Sequence, residues 1–376
     1  MTYVHLYPFA PWGWYGGTLR LRTALEGTAL RGRTRALWFD AMSGEWRELS
    51  VEGVGAPDNM AARGSREVKS CVARLKRYIF PSTLWESGRR PRRTLASAIA
   101  ARPSSTVILH TTYLAPAAAV LSARGHRTII DAHDVVHRAH RDDAAATAQL
   151  RKAVRSVYAT TVRARELSSL RRVAGVVVAG WTDAELLRSA GVAEVYWAPT
   201  GLDATYPARP PSRRLRIGLL GNFAHSATVA AAIELIESPL GRGGEVDLVF
   251  AGMNSHLLPD TARVQRLGPI SDPAEFYSAI DASVVPASNG SGMKCKLAEA
   301  ALAGRPVITT PLGAAGYPSE LRDAMTVVDG PDQLGYDVVR QAVCRAAPEA
   351  LRRLFEDWVG REAAASRYAT AIGELR

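Results

Sequence analysis

Residues 290–317 read GSGMKCKLAEAALAGRPVITTPLGAAGY, a run that places one helical and one extended pattern between glycine turns. It predicts a helix over 293–303, which ends at Gly304, and a buried strand over 306–311 before the next glycine turn. Strands, glycine turns and helices alternate in the same way over much of the chain on either side. Such alternation is typical of α/β proteins with parallel sheets.

Two lysines stand at the start of this helix, although only five of the 47 basic residues are lysines. Lys294 and Lys296 follow a loop with Gly290 and Gly292, where backbone N–H groups and the positive end of the helix dipole would point at an anion. A lysine adds a compact, mobile positive charge. The pattern therefore indicates a phosphate site. The alternative is a surface ion pair between Lys296 and Glu299 at i and i+3, which needs no ligand.

The run 290–317 resembles the donor-binding core of the retaining GT-B glycosyltransferases of the group 1 type. This resemblance implies an α/β protein with two Rossmann-like domains whose parallel sheets face a central cleft. It implies that Glu299 receives the ribose hydroxyls of a nucleotide sugar, and we expect base contacts from the turn Gly268-Pro269-Ile270. A UDP- or GDP-linked donor is expected, with no metal and no other cofactor.

The chain departs from the family pattern at two places. Many members carry an Arg-Lys pair shortly after the glycine that corresponds to Gly221, whereas here Asn222 begins a run without lysine or arginine. Ser291 stands where the first of the family's two glutamates would be. Lys294 and Lys296 are therefore expected to neutralise a larger share of the donor phosphates, and a deoxy- or amino-sugar donor becomes one alternative.

The predicted donor site draws on both halves of the chain. Fixed donors aimed at a departing diphosphate lower the barrier to glycosyl transfer, and Lys294 is predicted to act in catalysis in this way. The predicted donor-binding residues are Gly16, Gly17, Asn222, Gly268, Pro269, Ile270, Ser291, Gly292, Met293, Lys294, Lys296 and Glu299.

His133 is the second predicted catalytic residue, because it follows a buried strand over 127–131 at the sheet edge where ligands bind. The surrounding segment is similar to a D-x-H-D segment of many family members, where the histidine points at the donor sugar or the acceptor. A histidine there donates to a sugar hydroxyl or assists proton transfer. Asp131 and Asp134 would orient His133 or contact the acceptor, and Trp14 is placed on the acceptor side. The alternative is a turn histidine with capping aspartates.

Domain boundaries follow from composition and from the alternation of elements. The proline-rich stretch 207–214 carries no periodic apolar signal and reads as a linker. We therefore expect an acceptor-binding domain over 1–207 and a donor-binding domain over 208–348. The helical pattern over 349–376 resembles the closing helix that returns to the first domain in this family.

Composition limits the class of protein. The 376 residues are 47% hydrophobic and 22% charged, which is typical of a globular chain long enough for two domains. No apolar run approaches the roughly 18 residues of a membrane span, and no sorting signal is evident, so a bacterial cytoplasmic protein is expected. Three scattered cysteines suggest reduced thiols.

A basic segment over 63–93 carries ten basic and two acidic residues. Apolar residues recur among these charges at helical spacing, which predicts a basic amphipathic helix. Such a helix would make peripheral contact with an anionic membrane, or it would face the core with a solvated basic side.

The sequence thus predicts a retaining hexosyltransferase that moves a sugar from a nucleoside diphosphate to a hydroxyl acceptor. A natural product, a lipid and a polysaccharide precursor remain open as the acceptor. The alternatives are a sugar-nucleotide epimerase of the same fold, or a basic nucleic-acid- or membrane-binding protein on a transferase-like scaffold. No nucleic-acid motif accompanies the basic segment, so nucleic acid is not expected as a partner.

Overall fold

A computed structural model describes residues 1–8, 16–40, 43, 45–49, 94–95, 99, 105–138, 149–203, 214–259, 263–288 and 290–375. The chain forms two compact units. Unit 1 comprises residues 1–201 and 364–376, and unit 2 comprises residues 202–363. Trp14, the basic segment 63–93 and most of the predicted linker 207–214 lie outside the described residues.

Each unit is built on one twisted sheet. Unit 1 has seven strands in the order β3-β2-β1-β4-β5-β6-β7, all parallel except that β3 runs antiparallel to β2. Unit 2 has six parallel strands in the order β10-β9-β8-β11-β12-β13. The strands are β1 Thr2–Tyr7, β2 Arg33–Asp40, β3 Glu45–Leu49, β4 Thr106–His110, β5 Arg127–Ala132, β6 Gly175–Val178, β7 Val195–Trp197, β8 Arg216–Leu220, β9 Asp247–Ala251, β10 Val264–Gly268, β11 Ala282–Val285, β12 Val307–Thr309 and β13 Thr326–Val327.

Helices connect the parallel strands, as right-handed crossovers require. No described helix is long and apolar enough to cross a membrane. The α-helices are α1 Gly16–Ala29, α2 Ala118–Ser122, α3 Gln149–Leu170, α4 Trp181–Ser189, α5 Ser226–Glu237, α6 Pro239–Gly243, α7 Pro273–Ala279, α8 Cys295–Leu302, α9 Pro311–Ala314, α10 Ser319–Arg322, α11 Tyr336–Arg345, α12 Pro348–Val359 and α13 Arg361–Glu374.

The core of unit 1 includes the end of the chain. Strands β4 and β6 are buried along their whole length, so they read as continuous apolar runs rather than alternating ones. On one side of the sheet, Tyr368 and Ile372 of α13 pack with Tyr3 and Ile108. Gly175 has no room for a side chain, because an added Cβ would lie 2.0 Å from a methyl carbon of Leu375. Helix α13 and Leu375 therefore form part of the unit 1 core.

Glycines end the first strands of the unit 2 sheet and allow their backbones to approach closely. Gly252 follows β9 with φ +118°, and an added Cβ would lie 2.0 Å from the carbonyl oxygen of Gly221. The N–H of Gly252 donates to the carbonyl oxygen of Gly268 at 2.7 Å. These contacts bring the carboxyl ends of β8, β9 and β10 together, which is the edge where ligands bind in open α/β sheets.

Candidate active site

The loop before α8 is held in shape by its own lysine. Gly290 and Gly292 have φ values of +96° and +74°, a backbone region that favours glycine. The Lys294 ammonium donates to the carbonyl oxygen of Ser291 at 2.6 Å, and the Tyr317 hydroxyl donates to the carbonyl oxygen of Lys294 at 2.8 Å. Lys294 is therefore engaged in shaping the loop.

The second lysine extends from α8 to the end of β8. An added Cβ at Gly221 would lie 3.1 Å from Lys296 Nζ, so the ammonium sits directly against this glycine. Within the described part of the chain, the ammonium has no hydrogen bond and no carboxylate within 4.0 Å. The Lys296–Glu299 ion pair, the ligand-free alternative for this sequence, is thus not formed.

Partial burial makes Lys296 unusual among lysines. Burial, together with the nearby Lys294 ammonium, lowers the pKa of Lys296 to about 8, although Glu299 opposes this effect. A buried ammonium without a partner is costly unless an anion binds to it. The local chemistry at the end of β8 therefore fits a bound anion such as a phosphate.

Glu299 lies one turn further along α8 and is oriented by a tyrosine. The Tyr277 hydroxyl, on α7, lies 3.2 Å from Glu299 Oε2 and 3.3 Å from the carbonyl oxygen of Lys296. Burial raises the pKa of Glu299, while the Tyr277 hydrogen bond opposes the rise. A desolvated carboxylate of this kind can accept hydrogen bonds from two vicinal hydroxyls. The sequence analysis did not predict a role for Tyr277, because the segment around it shows only the apolar pattern of a helix.

The remaining predicted donor residues of unit 2 lie at strand ends or in the α8 loop. Asn222 Oδ1 accepts a hydrogen bond from the N–H of Ala224 at 3.0 Å, so its side chain folds the turn after Gly221. Pro269 is exposed and Ile270 is partly buried, next to the β10 end. Ser291 and Met293 are both 8% exposed.

A buried ion pair joins α1 to β5 in unit 1. Arg20 donates through Nε and Nη2 to Asp131 Oδ1, at 2.8 and 2.6 Å, and both side chains are at most 1% exposed. Arg20 Nη1 also donates to the carbonyl oxygen of Pro199 at 3.0 Å. Although burial raises the pKa of Asp131, the Arg20 guanidinium and the His110 ring more than offset it and hold that pKa well below its usual range. Asp131 is thus a buried anion, which favours an orienting role over contact with an acceptor.

A row of polar side chains, here called the histidine chain, crosses three strands, β1, β4 and β5, beside this ion pair. His5 Nε2 lies 2.8 Å from the Thr28 hydroxyl, and His5 Nδ1 lies 3.0 Å from His110 Nε2. On its other side, His110 Nδ1 lies 3.1 Å from Asp131 Oδ2 and 3.2 Å from His133 Nε2. His133 is 13% exposed, whereas His110 and Asp131 are fully buried.

Burial keeps the two outer imidazoles of the histidine chain, His5 and His133, uncharged. It lowers the pKa of His133 to about 3, although Asp131 opposes the shift. It also lowers the pKa of His5 well below its usual value, helped by His110. Both imidazoles are therefore neutral at physiological pH.

The same cluster is the group in the described residues whose atoms are arranged to hold a metal ion. One ligand atom each from His110, Asp131 and His133 lies within 4.8 Å of the others. Arg20 already neutralises the Asp131 carboxylate, which weakens its attraction for a cation. The expectation of no metal remains a prediction.

The other predicted site residues of unit 1 are not part of this cluster. Gly16 and Gly17 form the start of α1, and Asp134 is exposed. His137 is buried and its Nδ1 lies 2.7 Å from Glu166 Oε2, so the HxxxH spacing from His133 does not gather two metal ligands. Sequence reasoning missed Arg20, His5 and His110, because nothing in their local sequence marks them.

Several solved structures of glycosyltransferases are similar to this chain. The chain resembles sucrose-phosphate synthase (tll1590) from Thermosynechococcus elongatus, with a TM-score of 0.68 and 17% identity over 100% of this chain and 98% of that chain. It also resembles Anabaena Alr3699/HepE in complex with UDP-glucose, with a TM-score of 0.62 and 12% identity over 99% of each chain. An E. coli trehalose-6-phosphate structure with bound UDP-2-fluoro glucose gives a TM-score of 0.60 and 13% identity over 100% of this chain and 99% of that one. The chain therefore has the GT-B glycosyltransferase fold.

The sequence itself carries a family match within unit 2. Residues 214–342 match the family described as Glycosyl transferases group 1. No curated protein matches the chain by sequence. Residues 214–342 are thus similar to a group 1 glycosyltransferase domain, in a chain that has the GT-B fold, and this combination supports glycosyltransferase activity.

Proposed function

We propose that this protein transfers a sugar from a UDP-linked donor to a hydroxyl acceptor with retention of anomeric configuration. The observation that carries the proposal is the Lys296 ammonium against Gly221, at the carboxyl end of β8, which has no hydrogen bond or ion pair to any described residue. Two of the similar solved structures are complexes with UDP-glucose and UDP-2-fluoro glucose, which supports uracil as the base of the donor.

In this proposal the donor lies along the carboxyl edge of the unit 2 sheet. Lys296 binds the diphosphate, and Glu299 accepts hydrogen bonds from the ribose hydroxyls. The turn Gly268-Pro269-Ile270 meets the base, and Lys294 supports the loop that Gly290 opens. The ammonium stabilises negative charge on the diphosphate as the glycosidic bond breaks, so no divalent metal is required.

His133 marks the reacting side of unit 1 in this proposal. Its ring is the partly exposed end of an otherwise buried chain, so it is the member that can meet a ligand. The acceptor class stays open between a natural product, a lipid and a polysaccharide precursor. Retention is tested directly by the anomeric configuration of the product, and an inverted product would exclude the retaining mechanism.

Ligand stabilisation tests the donor assignment. We expect UDP to raise the melting temperature without added metal more than GDP, ADP or CDP at the same concentration. A ligand at 100 times its Kd adds about 2.7 kcal/mol to the free energy of unfolding. Glu299→Gln should weaken UDP binding by about 10- to 100-fold, since a hydrogen bond to a charged group contributes about 1.5–3 kcal/mol. Glu237→Gln, at an exposed position of α5, is the matched control. Equal shifts for all four diphosphates, or none, would contradict the proposal.

The pH dependence of UDP binding tests the part played by Lys296. Because the pKa of Lys296 is about 8 in the unliganded protein, the ammonium is present below that pH and is lost as the pH rises through it. UDP affinity should therefore be about tenfold weaker at pH 9 than at pH 7. Lys296→Arg should flatten this profile, because a guanidinium stays charged over the whole range. Calorimetric titration at both pH values measures the effect, and a flat wild-type profile would remove Lys296 from the phosphate contact.

A further inference from the structure

The amino group of Lys296 is both reactive and accessible. Its side chain is partly exposed, and solvent reaches its nitrogen, which makes no hydrogen bond to any described residue. Burial lowers the pKa of Lys296 to about 8, while Glu299 opposes this shift, Lys294 adds to it and Cys295 opposes it. About half of the amino groups are therefore neutral at pH 8, compared with less than about 1% for a lysine of ordinary pKa. A neutral amine is a nucleophile, whereas an ammonium is not.

The surroundings of this amine attract anions. An added Cβ at Gly221 would lie 3.1 Å from Lys296 Nζ and 3.5 Å from Thr228 Oγ1, so the amine lies beside the first turn of α5. That turn contains no acidic residue, and the side chain of His225 before it does not cap the helix. The positive end of the α5 dipole is therefore available to an anion. An anionic reagent is attracted to this place even when Lys296 itself is neutral.

Lys294 lies in a different environment, although it stands only two residues away. Its ammonium donates to the carbonyl oxygen of Ser291 at 2.6 Å. A hydrogen bond to the charged form of a group favours that form. Lys294 therefore supplies a fixed positive charge, whereas Lys296 supplies a nucleophile beside it.

We propose that Lys296 is a site of covalent acylation by acyl phosphates, and that this modification prevents donor binding. The neutral amine attacks the acyl carbon and forms a C–N bond. The bond from that carbon to the phosphate oxygen breaks, its electron pair leaves with inorganic phosphate, and the nitrogen loses one proton to solvent. The product is an amide, so the positive charge against Gly221 is lost. The effect on the donor rests on the proposed function, but the site of acylation does not.

An acyl phosphate suits this site because its anionic group is attached directly to the acyl carbon. Binding of the phosphate beside Lys294 and the first turn of α5 brings that carbon next to the amine, and such proximity accelerates a reaction. A neutral acylating reagent gains no such advantage. The preference for Lys296 should therefore be larger with acetyl phosphate than with N-hydroxysuccinimide acetate. An equal preference with both reagents would contradict the part assigned to the phosphate.

Competition among the lysines of the chain tests the site of modification. The native protein is treated with acetyl phosphate at pH 8, and peptide mass spectrometry measures the initial rate at each lysine. The five lysines are Lys69, Lys76, Lys152, Lys294 and Lys296. We expect Lys296 to react at least about tenfold faster than each of the others, because a larger fraction of it is neutral. Equal rates, or a faster reaction at another lysine, would overturn the inference.

Three controls show whether the folded site causes the preference. In concentrated guanidinium chloride the preference should disappear. In the native protein, the rate at Lys296 should reach half of its maximum at about pH 8, whereas the rate at an ordinary lysine rises up to about pH 10. Hydroxylamine removes a thioester at Cys295 but leaves an amide at Lys296. A label that hydroxylamine removes would assign the reaction to Cys295 and contradict the inference.

Binding of UDP tests the effect of the modification. Treatment with acetyl phosphate should weaken UDP binding to the wild type by at least about tenfold, the loss expected when one charge-assisted contact is removed. UDP present during the treatment should protect Lys296. Lys296→Arg should keep its affinity for UDP after treatment, because a guanidinium stays charged and is not a nucleophile near neutral pH. An equal loss in Lys296→Arg would place the effect at another residue. If the untreated wild type binds no UDP, the proposed function fails, while the ranking of the five lysines still tests the acylation.

Discussion

Lys296→Met is expected to lower kcat/KM for the nucleotide-sugar donor by about 100- to 1000-fold, the usual cost of removing one donor that stabilises transition-state charge. The ammonium lies against Gly221, and the run after this glycine offers no lysine or arginine to replace it. Steady-state kinetics with varied donor measures the loss. Most of it should appear in kcat, because the charge on the diphosphate grows as the glycosidic bond breaks.

The stability of this variant distinguishes a lost contact from a damaged fold. Methionine keeps the apolar stem of Lys296 and removes a partly buried charge, so the unliganded protein should be at least as stable as the wild type. Lys294→Met is the comparison, since its ammonium is engaged by the carbonyl oxygen of Ser291. We expect Lys294→Met to weaken activity less and to lower the melting temperature more. The reverse order would place the phosphate at Lys294.

Arg20→Met is expected to destabilise the protein by about 3–5 kcal/mol at pH 7, because it leaves a buried carboxylate without its partner. Urea unfolding measures this change. Arg35→Met removes an exposed ion pair with Glu48 and should cost no more than about 1 kcal/mol. The double variant Arg20→Met with Asp131→Asn should recover part of the loss, since no buried charge remains. A loss as small as that of Arg35→Met would contradict a structural role for this pair.

The pH dependence of the Arg20→Met effect has a definite sign. In the wild type the pKa of Asp131 is below its unfolded value, so the stabilisation is complete above the unfolded pKa and is lost only as the pH falls through the folded pKa. Without Arg20, we expect the pKa of Asp131 to rise above the unfolded value, because burial is the largest influence on this carboxyl group. The free energy of unfolding of the variant is then lowered at pH 7 by the buried charge, and it rises again as the carboxyl group takes up a proton at lower pH. The difference in the free energy of unfolding between the wild type and the variant should therefore be smaller at pH 5 than at pH 7.

The sequence predicts the parallel strands of the fold well, because they are short apolar runs between glycine or polar turns. The strand predicted over 127–131 is observed as Arg127–Ala132, and the one over 306–311 as Val307–Thr309. Strands β2 and β3 are not predicted. Strand β2 begins with alternating arginines, so its apolar run is limited to residues 36–39, and β3 is a largely exposed edge strand without an apolar run.

Local sequence also predicts the glycine loop before α8 but does not show which of the two lysines would meet a ligand. The spacing of Lys294 and Lys296 is equally compatible with either, because the choice depends on Gly221 from a distant strand. The histidine chain cannot be predicted from local sequence for the same reason. Arg20 and Asp131 are 111 residues apart in sequence, and the order of strands in the sheet brings them together.

The structure also offers an explanation for the first departure from the family pattern. Asn222 uses its side chain to fold its own turn, and the cation beside Gly221 comes from α8. A positive charge at the end of β8 is thus retained while its position in the sequence has changed. Whether it meets a diphosphate is what the Lys296 experiments test.

The place of α13 in the unit 1 core has a consequence for synthesis on the ribosome. Residues 364–376 are made after the whole of unit 2, yet Tyr368, Ile372 and Leu375 fill the space over Tyr3, Ile108 and Gly175. At a synthesis rate of about 5–20 residues per second, α13 is completed roughly ten to thirty seconds after residue 201. During this interval an apolar face of the nascent unit 1 sheet remains uncovered while unit 2 is being synthesised. The first unit to begin synthesis is therefore the last to have its full sequence, and its uncovered face is exposed to aggregation in the meantime.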